Sequence, residues 1–216
     1  MALFNAHEDY ESARKLHETE VIDRHTPGQG VELDVDITGA KTLHLMADDA
    51  GDGITGDHVV WSDPRLTGPA GELRLTKQGW LSASTGWGSV AVGKDAAGGP
   101  LSIQGKPVAD GIGAHAAAHL TFAVPPGYTH FQAFAALDDV GVGTPYGATV
   151  RFRVLASDTA VTTSATVLVP LADLGFSGKV KVRDLWSHAD LSPASGEISA
   201  EVPAHGARLF RVGPQN

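Results

Sequence analysis

A cluster of aspartates is the part of the sequence best suited to hold a cation. Three glycines lie among these acidic residues, which are Asp48, Asp49, Asp52 and Asp57. Neighbouring carboxylates repel one another unless a cation or hydrogen-bond donors lie between them, and Ca²⁺ prefers hard oxygen ligands. The spacing differs from an EF-hand loop, because a glycine stands where a further ligand would be and no glutamate closes the loop. The segment predicts either a structural Ca²⁺ site or a solvated turn.

A tryptophan between two glycines is the second feature with the chemistry to bind a ligand. Trp87 lies between Gly86 and Gly88. Exposing tryptophan is costly, so this side chain either plugs the end of a sandwich or presents its flat face to a ligand. The two interpretations are evenly weighted, because the flanking glycines remove neighbouring side chains and leave room for a ligand. Trp80, by contrast, is expected in the core.

Histidine and aspartate side chains at strand ends have complementary chemistry. His115 follows Gly111 and Gly113, and it is equally suited to bond a backbone group. Asp138 and Asp139 end a strand, where a turn is the alternative interpretation. Aromatic faces cover the apolar side of a pyranose, and carboxylates accept hydrogen bonds from its hydroxyls. Such residues at the loop ends of a β-sandwich suit sugar recognition.

Short β-strands must position these residues. Apolar and polar residues alternate in segments 31–38, 149–154 and 198–202, and more weakly in 42–47, 119–124 and 131–137. Glycine and proline clusters separate the segments, which predicts an all-β fold, an antiparallel sandwich or jelly roll. Only Tyr10–His17 has spacing that predicts a short helix. No phosphate loop, nucleophile elbow, HExxH helix or (β/α)8 pattern is present.

The composition excludes several classes of function. The chain has 216 residues and a formal charge of −9, which does not suit nucleic acid. No apolar run approaches the ~20 residues that span a bilayer. Without cysteine there is no disulfide, thiolate nucleophile or sulfur-bound zinc site. Residues 1–8 do not form a signal peptide, so we expect the chain either to stay inside the cell or to have been cut from something longer.

Six short motifs in the middle of the chain form a recognisable set. They are Trp80–Ser84, Gly86–Gly88, Pro100–Gly105, Gly111–His115, Ala136–Asp139 and Asp52–Asp63. Together they resemble the NPCBM family of carbohydrate-binding modules, related to carbohydrate-binding module family 51, over about residues 18–157. The resemblance implies a jelly-roll sandwich that binds galactose-type sugars and is appended to glycosidases. The sugar site is then expected to contain Trp87, His115, Asp138, Asp139, His58 and Trp61.

The order of the motifs differs from that of the family. There the acidic Asp-His-x-x-Trp segment ends the module, whereas here it precedes Gly-Trp-Gly. Either the module is circularly permuted, with Thr67–Gly79 joining the old ends, or residues 18–66 end one module and residues 80–157 begin another. Half-modules would leave sheet edges bare, and sandwich termini lie close enough to be joined. We therefore favour permutation.

The two ends of the chain carry a second resemblance. Segments Val180–His188, Gly196–Val202 and Pro203–Val212 look like the C-terminal β-domain of glycoside hydrolase family 27, the α-galactosidases, and Ala2–Asn5 matches its opening strand. The resemblance implies a smaller antiparallel sandwich, residues 1–15 and 161–216, into which the module at 16–160 is inserted. The family's catalytic aspartates belong to a barrel, so no catalytic residue is carried over.

Within the smaller domain we expect Trp186 in the core. Arg183 and Asp184 are expected to form a local ion pair, worth about 0–1 kcal/mol if exposed. Pro203 and Gly206 are expected to bracket a turn in which His205 is structural.

Three functional hypotheses follow. The first is a non-catalytic, galactose-binding region of a secreted bacterial α-galactosidase-like enzyme. It is extracellular, and its partners are a galactose-containing glycan and a catalytic barrel, with neither nucleic acid nor membrane. The second is a purely structural domain, which predicts that Trp87 and His115 are buried with no open cleft. The third is a stand-alone glycosidase that uses an aspartate pair including Asp139 as acid and base.

Overall fold

The computed structural model of the chain describes residues 2–4, 13–145, 147–160, 164–203 and 207–215. The chain divides into two compact units, of which the larger is Tyr10–Val161 and the smaller combines Met1–Asp9 with Thr162–Asn216. Both units consist mainly of antiparallel strands, so the all-β fold class is confirmed.

The larger unit contains most of the strands. Strand β1 (Ala2–Phe4) belongs to the smaller unit; the strands of the larger unit are β2 (Arg14–Glu18), β3 (Ile22–Asp23), β4 (Gly30–Asp36), β5 (Thr42–Asp48), β6 (His58–Gly68), β7 (Gly71–Arg74), β8 (Ser82–Ser84), β9 (Ala91–Val92), β10 (Ser102–Ile103), β11 (Lys106–Pro107), β12 (Gly111–His115), β13 (Ala118–Ala123), β14 (His130–Leu137) and β15 (Thr149–Ser157). Its helices are short: a 3₁₀ turn at Pro27–Gln29, α1 (Leu75–Gln78) and α2 (Asp139–Val142).

Two six-stranded sheets form most of this unit, and β10 and β11 pair separately as a two-stranded ribbon. The β6 sheet has the order β4-β14-β6-β12-β9, with β7 paired to β6, and the β5 sheet has the order β2-β15-β5-β13-β8, with β3 paired to β15. In both sheets, strands that precede residue 69 pair with strands that follow residue 81: β14 lies between β4 and β6, and β15 lies between β2 and β5. The unit is one complete sandwich, so the half-module alternative is wrong. The turn between β6 and β7, residues 69–70, lies inside the segment expected to join the old ends.

The core lies between the two sheets. In β4, Leu33 and Val35 are buried, while Glu32, Asp34 and Asp36 face solvent, as period-two alternation requires. Trp61 is fully buried, with its ring edge-on to Phe152 at 4.9 Å and to Phe131 at 6.1 Å between centroids. Each such aromatic or aliphatic side chain contributes roughly 1.5–3 kcal/mol on burial.

The helix predicted at Tyr10–His17 is wrong over its described part. Residues Arg14–Glu18 form β2, which pairs antiparallel with β15. Pairing with the edge of β15 gives the backbone N–H and C=O groups of this segment their hydrogen-bond partners. This pairing overrides the weak helical spacing of its apolar residues. The pairing also places Arg14 and Lys15 in the larger unit, whereas Tyr10–Ser12 lie outside the described residues.

The smaller unit has its own core. Its strands are β16 (Ser164–Pro170), β17 (Val180–Asp184), β18 (Asp190–Ala194), β19 (Glu197–Pro203) and β20 (Ala207–Pro214), with a 3₁₀ turn at Leu171–Leu174. One sheet has the order β1-β20-β17-β18, and β16 pairs with β19. The buried side chains include Val180, Val182, Ile198, Val202 and Phe210.

Two expectations for the smaller unit are wrong. Trp186 is 54% exposed instead of buried, because it lies in the turn after β17 and not on the core face of a strand. Arg183 pairs with Asp190 across the sheet at 2.8 Å, not with Asp184. The Asp184 carboxylate instead accepts hydrogen bonds from the backbone N–H groups of Trp186 and Ser187. His205 and Gly206 lie outside the described residues.

Among the described residues, no helix has the length and apolar character needed to cross a membrane.

Candidate functional site

Three aromatic rings meet at one end of the β6 sheet. The ring centroids of His58 and His115 are 4.8 Å apart, and that of Trp87 lies 5.7 Å from the first and 5.6 Å from the second. All three pairs meet edge to face. The structure therefore brings together three of the predicted sugar-binding residues, and we call them the ring cluster.

Strand register accounts for the ring cluster. His58 begins β6, His115 ends β12, and the two are direct partners in the antiparallel pair. Cross-strand partners have their side chains on the same face about 5 Å apart. Trp87 reaches them from the loop between β8 and β9, where Thr85 Oγ1 accepts a hydrogen bond from the His115 N–H and donates one to its carbonyl oxygen, both at 2.9 Å.

The cluster presents one open aromatic surface. Trp87 is 52% exposed, whereas His58 and His115 are almost completely buried. The purely structural hypothesis requires both Trp87 and His115 to be buried. His115 is buried as it requires, but Trp87 is not. A half-exposed indole supported from below by two imidazoles is a rigid platform rather than a core residue.

The glycines beside Trp87 have a different role from the expected one. A Cβ on Gly86 would lie 2.3 Å from the carbonyl oxygen of Ala116, and a Cβ on Gly88 would lie 2.1 Å from that of Ala96. Gly88 also has φ +67°, a conformation that glycine adopts at little cost. These glycines are needed for close backbone packing, which fixes the tryptophan, rather than for clearing space around a ligand.

A hydrogen bond decides which ring nitrogen of His115 carries the proton, and burial and nearby charges shift the pKa of His58. His115 Nδ1 lies 2.8 Å from the carbonyl oxygen of Ala116. Because a carbonyl oxygen only accepts, Nδ1 carries the proton and, in the neutral ring, Nε2 is left as an acceptor. Burial, and then the neighbouring His115, lower the pKa of His58, while the Asp95 carboxylate raises it less. His58 is therefore neutral at neutral pH.

Asp95 is a residue of the site that the sequence motifs did not reveal. It is buried, and its Oδ1 accepts hydrogen bonds from the N–H groups of Ala97 and Gly99. Its charge acts on His58, and the same loop supplies the Ala96 carbonyl that packs on Gly88. In the sequence, Asp95 comes shortly before Gly98 and Gly99 in a loop. An aspartate in this position is typical of a turn in which the carboxylate accepts hydrogen bonds from backbone N–H groups a few residues later.

Trp61 is wrong as a sugar-binding residue. It is fully buried between the sheets, as described above, and has no surface to offer a ligand. His58 and Trp61 are an odd number of residues apart on one strand, so their side chains face opposite sides of the sheet. His58 faces the ring cluster, and Trp61 faces the core.

Asp138 is also wrong as a ligand contact. It is fully buried, and its two oxygens accept hydrogen bonds from the N–H groups of Val140 at 2.9 Å and Ser102 at 3.0 Å. The first of these caps α2. Burial raises the pKa of the Asp138 carboxyl. The side chain ties two loops together, which is the turn role weighed as its alternative.

Asp139 connects three loops. Its Oδ1 accepts from Gln29 Nε2 at 3.1 Å and its Oδ2 from the Gly105 N–H at 2.8 Å. Partial burial raises its pKa, but the hydrogen bonds from Gln29, Gly105, Ser102 and Gln104 together outweigh burial and leave the pKa lowered. Both oxygens are engaged within the protein, which is a positioning role; a direct contact with sugar stays a prediction.

The four aspartates of the acidic segment bond to the protein itself. Asp48 pairs with Arg153 at 2.8 Å, Asp49 accepts from the Gly51 N–H, and Asp52 accepts from Thr149 Oγ1 at 2.7 Å. Asp57 accepts from the Thr149 N–H at 3.1 Å. Across the described ranges, no group of three or more histidine, aspartate or glutamate side chains is arranged to hold a metal. Calcium binding stays a prediction that this geometry does not support.

Asp57 predicts an unusual pH dependence of stability. Burial, and then the charges of Asp52 and Asp49, raise its pKa to about 7, although the bond from the Thr149 N–H opposes the shift. Between pH ~4 and ~7 the unfolded chain releases this proton while the folded chain keeps it, so this group makes the protein less stable as pH rises. We expect Asp57→Asn to be more stable than wild type, and we expect this advantage to grow from pH 5 to pH 8. The largest difference in the free energy of unfolding is about 4 kcal/mol.

Urea unfolding of both proteins at the two pH values measures this gain. The difference between variant and wild type is the informative quantity, because His44 acts in the opposite direction. Burial, with the charge of His119, lowers the His44 pKa to about 4, so its contribution to stability is lost as pH falls from ~6.5. A difference that is the same at pH 5 and pH 8 would show that Asp57 ionises normally.

Comparison with protein families gives two matches. The NPCBM/NEW2 domain model matches residues 9–67 and 71–173, and the model of the alpha galactosidase C-terminal beta sandwich domain matches residues 153–212. The two segments matched by the NPCBM/NEW2 model are separated at residues 68–70, where the chain turns from β6 to β7. These matches confirm both resemblances drawn from the sequence.

One curated relative matches the chain. An alpha-galactosidase of Cyamopsis tetragonoloba is 39% identical over 54 residues, which are 24% of this chain and 13% of that protein. The match therefore spans only a small part of the relative. No solved structure matches the chain.

Proposed function

Because the chain belongs to the NPCBM/NEW2 domain family, whose model matches more than half of it, we propose that its larger unit binds a galactose-type sugar at the ring cluster. The two family matches indicate carbohydrate binding and an accessory domain of the α-galactosidase kind, both non-catalytic. The observation that carries the proposal is the half-exposed Trp87 held edge to face by His58 and His115.

The chemistry of the cluster fits a neutral sugar. The indole face of Trp87 would cover the apolar C–H face of a pyranose and release the water held there. In the neutral ring of His115, whose Nδ1 bonds the Ala116 carbonyl, Nε2 is an acceptor that suits a sugar hydroxyl donor. With one aromatic platform and few polar contacts, we expect a Kd near 1 mM, about −4 kcal/mol.

The smaller unit has a separate proposed role. We propose that it braces an α-galactosidase-type catalytic domain, to which this chain would be attached as an accessory region. The family match of residues 153–212 and the short match to an alpha-galactosidase support this role. Extracellular location and bacterial origin stay predictions from the resemblance.

Titration calorimetry with galactose and with glucose tests the sugar proposal. We expect Trp87→Ala to weaken galactose binding at least about tenfold, because the stacking surface is removed. Trp186→Ala is the matched control, since that tryptophan is equally exposed but lies in the smaller unit, and it should bind as wild type does. Absence of heat with galactose at tens of millimolar, or equal loss in both variants, would reject the proposal.

A further inference from the structure

The outer face of the four-stranded sheet in the smaller unit carries three cations on two strands. In β17, Val180 and Val182 point into the core, so Lys181 and Arg183 point outward. In β20, Arg211 is the direct cross-strand partner of Arg183. Like charges directly opposite each other destabilise a strand pair, so this arrangement needs a compensating anion.

The protein supplies only part of that compensation. Asp190 pairs with Arg183 at 2.8 Å, and the Asp190 side chain is 78% exposed. Within the described part of the chain, neither Lys181 nor Arg211 forms an ion pair, and both are exposed. Two of the three cations are therefore left to solvent or to a ligand.

A groove runs past these cations. It has a volume of about 590 Å³, and its lining includes Lys181, Arg183, Asp190, Leu191, Pro193 and Arg211. Leu191 is 44% exposed, so the groove has an apolar surface next to its positive charges. The exposed Leu191 side chain at the margin of the groove can contact the C–H face of a sugar ring, and a guanidinium suits a carboxylate or sulfate, which it can bind with two parallel hydrogen bonds.

We propose that this groove binds an anionic polysaccharide through its carboxylate or sulfate groups. The chain as a whole is acidic, with a formal charge of −9, so its overall field disfavours anions and binding must be local to the groove. The site is separate from the ring cluster and takes a different class of glycan, charged rather than neutral.

Native gels cast with polygalacturonate, with a sulfated galactan or with a neutral galactan test the proposal. We expect at least one anionic gel to retard the protein at low salt, and less so at ~0.15 M salt, where the Debye length is ~8 Å. Retardation by polygalacturonate identifies a carboxylate ligand and retardation by the sulfated galactan identifies a sulfate ligand. Arg211→Gln and Lys181→Gln should each weaken the retardation about threefold to tenfold.

Two controls separate this site from general charge and from the proposed function. Lys106→Gln removes an exposed cation from the larger unit and should be retarded as wild type is. Trp87→Ala should keep the salt-sensitive part of the retardation in the anionic gels, even though it loses galactose binding. No retardation in either anionic gel, or an equal loss in Lys106→Gln and Arg211→Gln, would overturn the proposal and leave the ring cluster unaffected.

Discussion

Replacing Trp61 by alanine is expected to lower the free energy of unfolding by about 3–5 kcal/mol. The indole is fully buried and packs edge-on against Phe152 and Phe131, so its removal leaves a cavity between the two sheets. Strands β6, β14 and β15 each contribute one of these rings, and none of them moves easily to fill the space. Chemical denaturation followed by circular dichroism measures the loss.

Trp87→Ala is the control variant for the stability loss expected of Trp61→Ala. Trp87 is half exposed, and we expect its removal to cost only about 1 kcal/mol of stability. Of these two tryptophans, Trp61 therefore supports the fold and Trp87 forms the ligand surface. An equal loss of stability in the two variants would contradict the assignment of Trp61 to the core and Trp87 to the site.

The second large effect is expected at Gly88. Alanine there would place a Cβ 2.1 Å from the Ala96 carbonyl oxygen, in a backbone conformation with φ +67°. The same carbonyl accepts a hydrogen bond from the Ser89 N–H, so the contact cannot relax without losing that bond. We expect a loss of about 2–5 kcal/mol, the sum of a left-handed alanine and an overpacked contact. Because the Trp87 loop must shift, galactose binding should fall as well.

Gly93→Ala is the matched control for backbone conformation. Gly93 has φ +72°, but nothing lies within 4 Å of a Cβ built there. Its replacement should cost only the left-handed conformation, about 1–2 kcal/mol, and leave sugar binding intact. Thermal unfolding and galactose titration of both variants check this. If the two substitutions behave alike, close packing against Ala96 is not what Gly88 provides.

Local patterns predicted the strands well and the partners of single side chains less well. The alternation in β4 and β14 predicts which residues are buried, because a strand in a sandwich has only two faces. The same rule, applied to the odd spacing of His58 and Trp61, was sufficient to separate the site residue from the core residue. Both residues belong to the same motif, Asp52–Asp63, so the motif alone does not separate them.

Other features depend on contacts that are distant in sequence. His115 meets His58 through strand register, and Asp138 finds the Ser102 N–H through the fold of a separate loop. The glycines beside Trp87 are required by the Ala96 and Ala116 carbonyls, which local sequence does not reveal. The strand at Arg14–Glu18 exists because β15 offers an edge to pair with. Such contacts are created by the tertiary fold and override local preference.

The most direct test follows the indole N–H signals of the four tryptophans by NMR during a galactose titration. The proposed site predicts that the Trp87 signal moves and saturates with a Kd near 1 mM, while the signals of Trp61 and Trp186 stay in place. A Trp87 signal that does not move at tens of millimolar galactose, or a saturating change at another tryptophan alone, would contradict the assignment of the ring cluster as the sugar site.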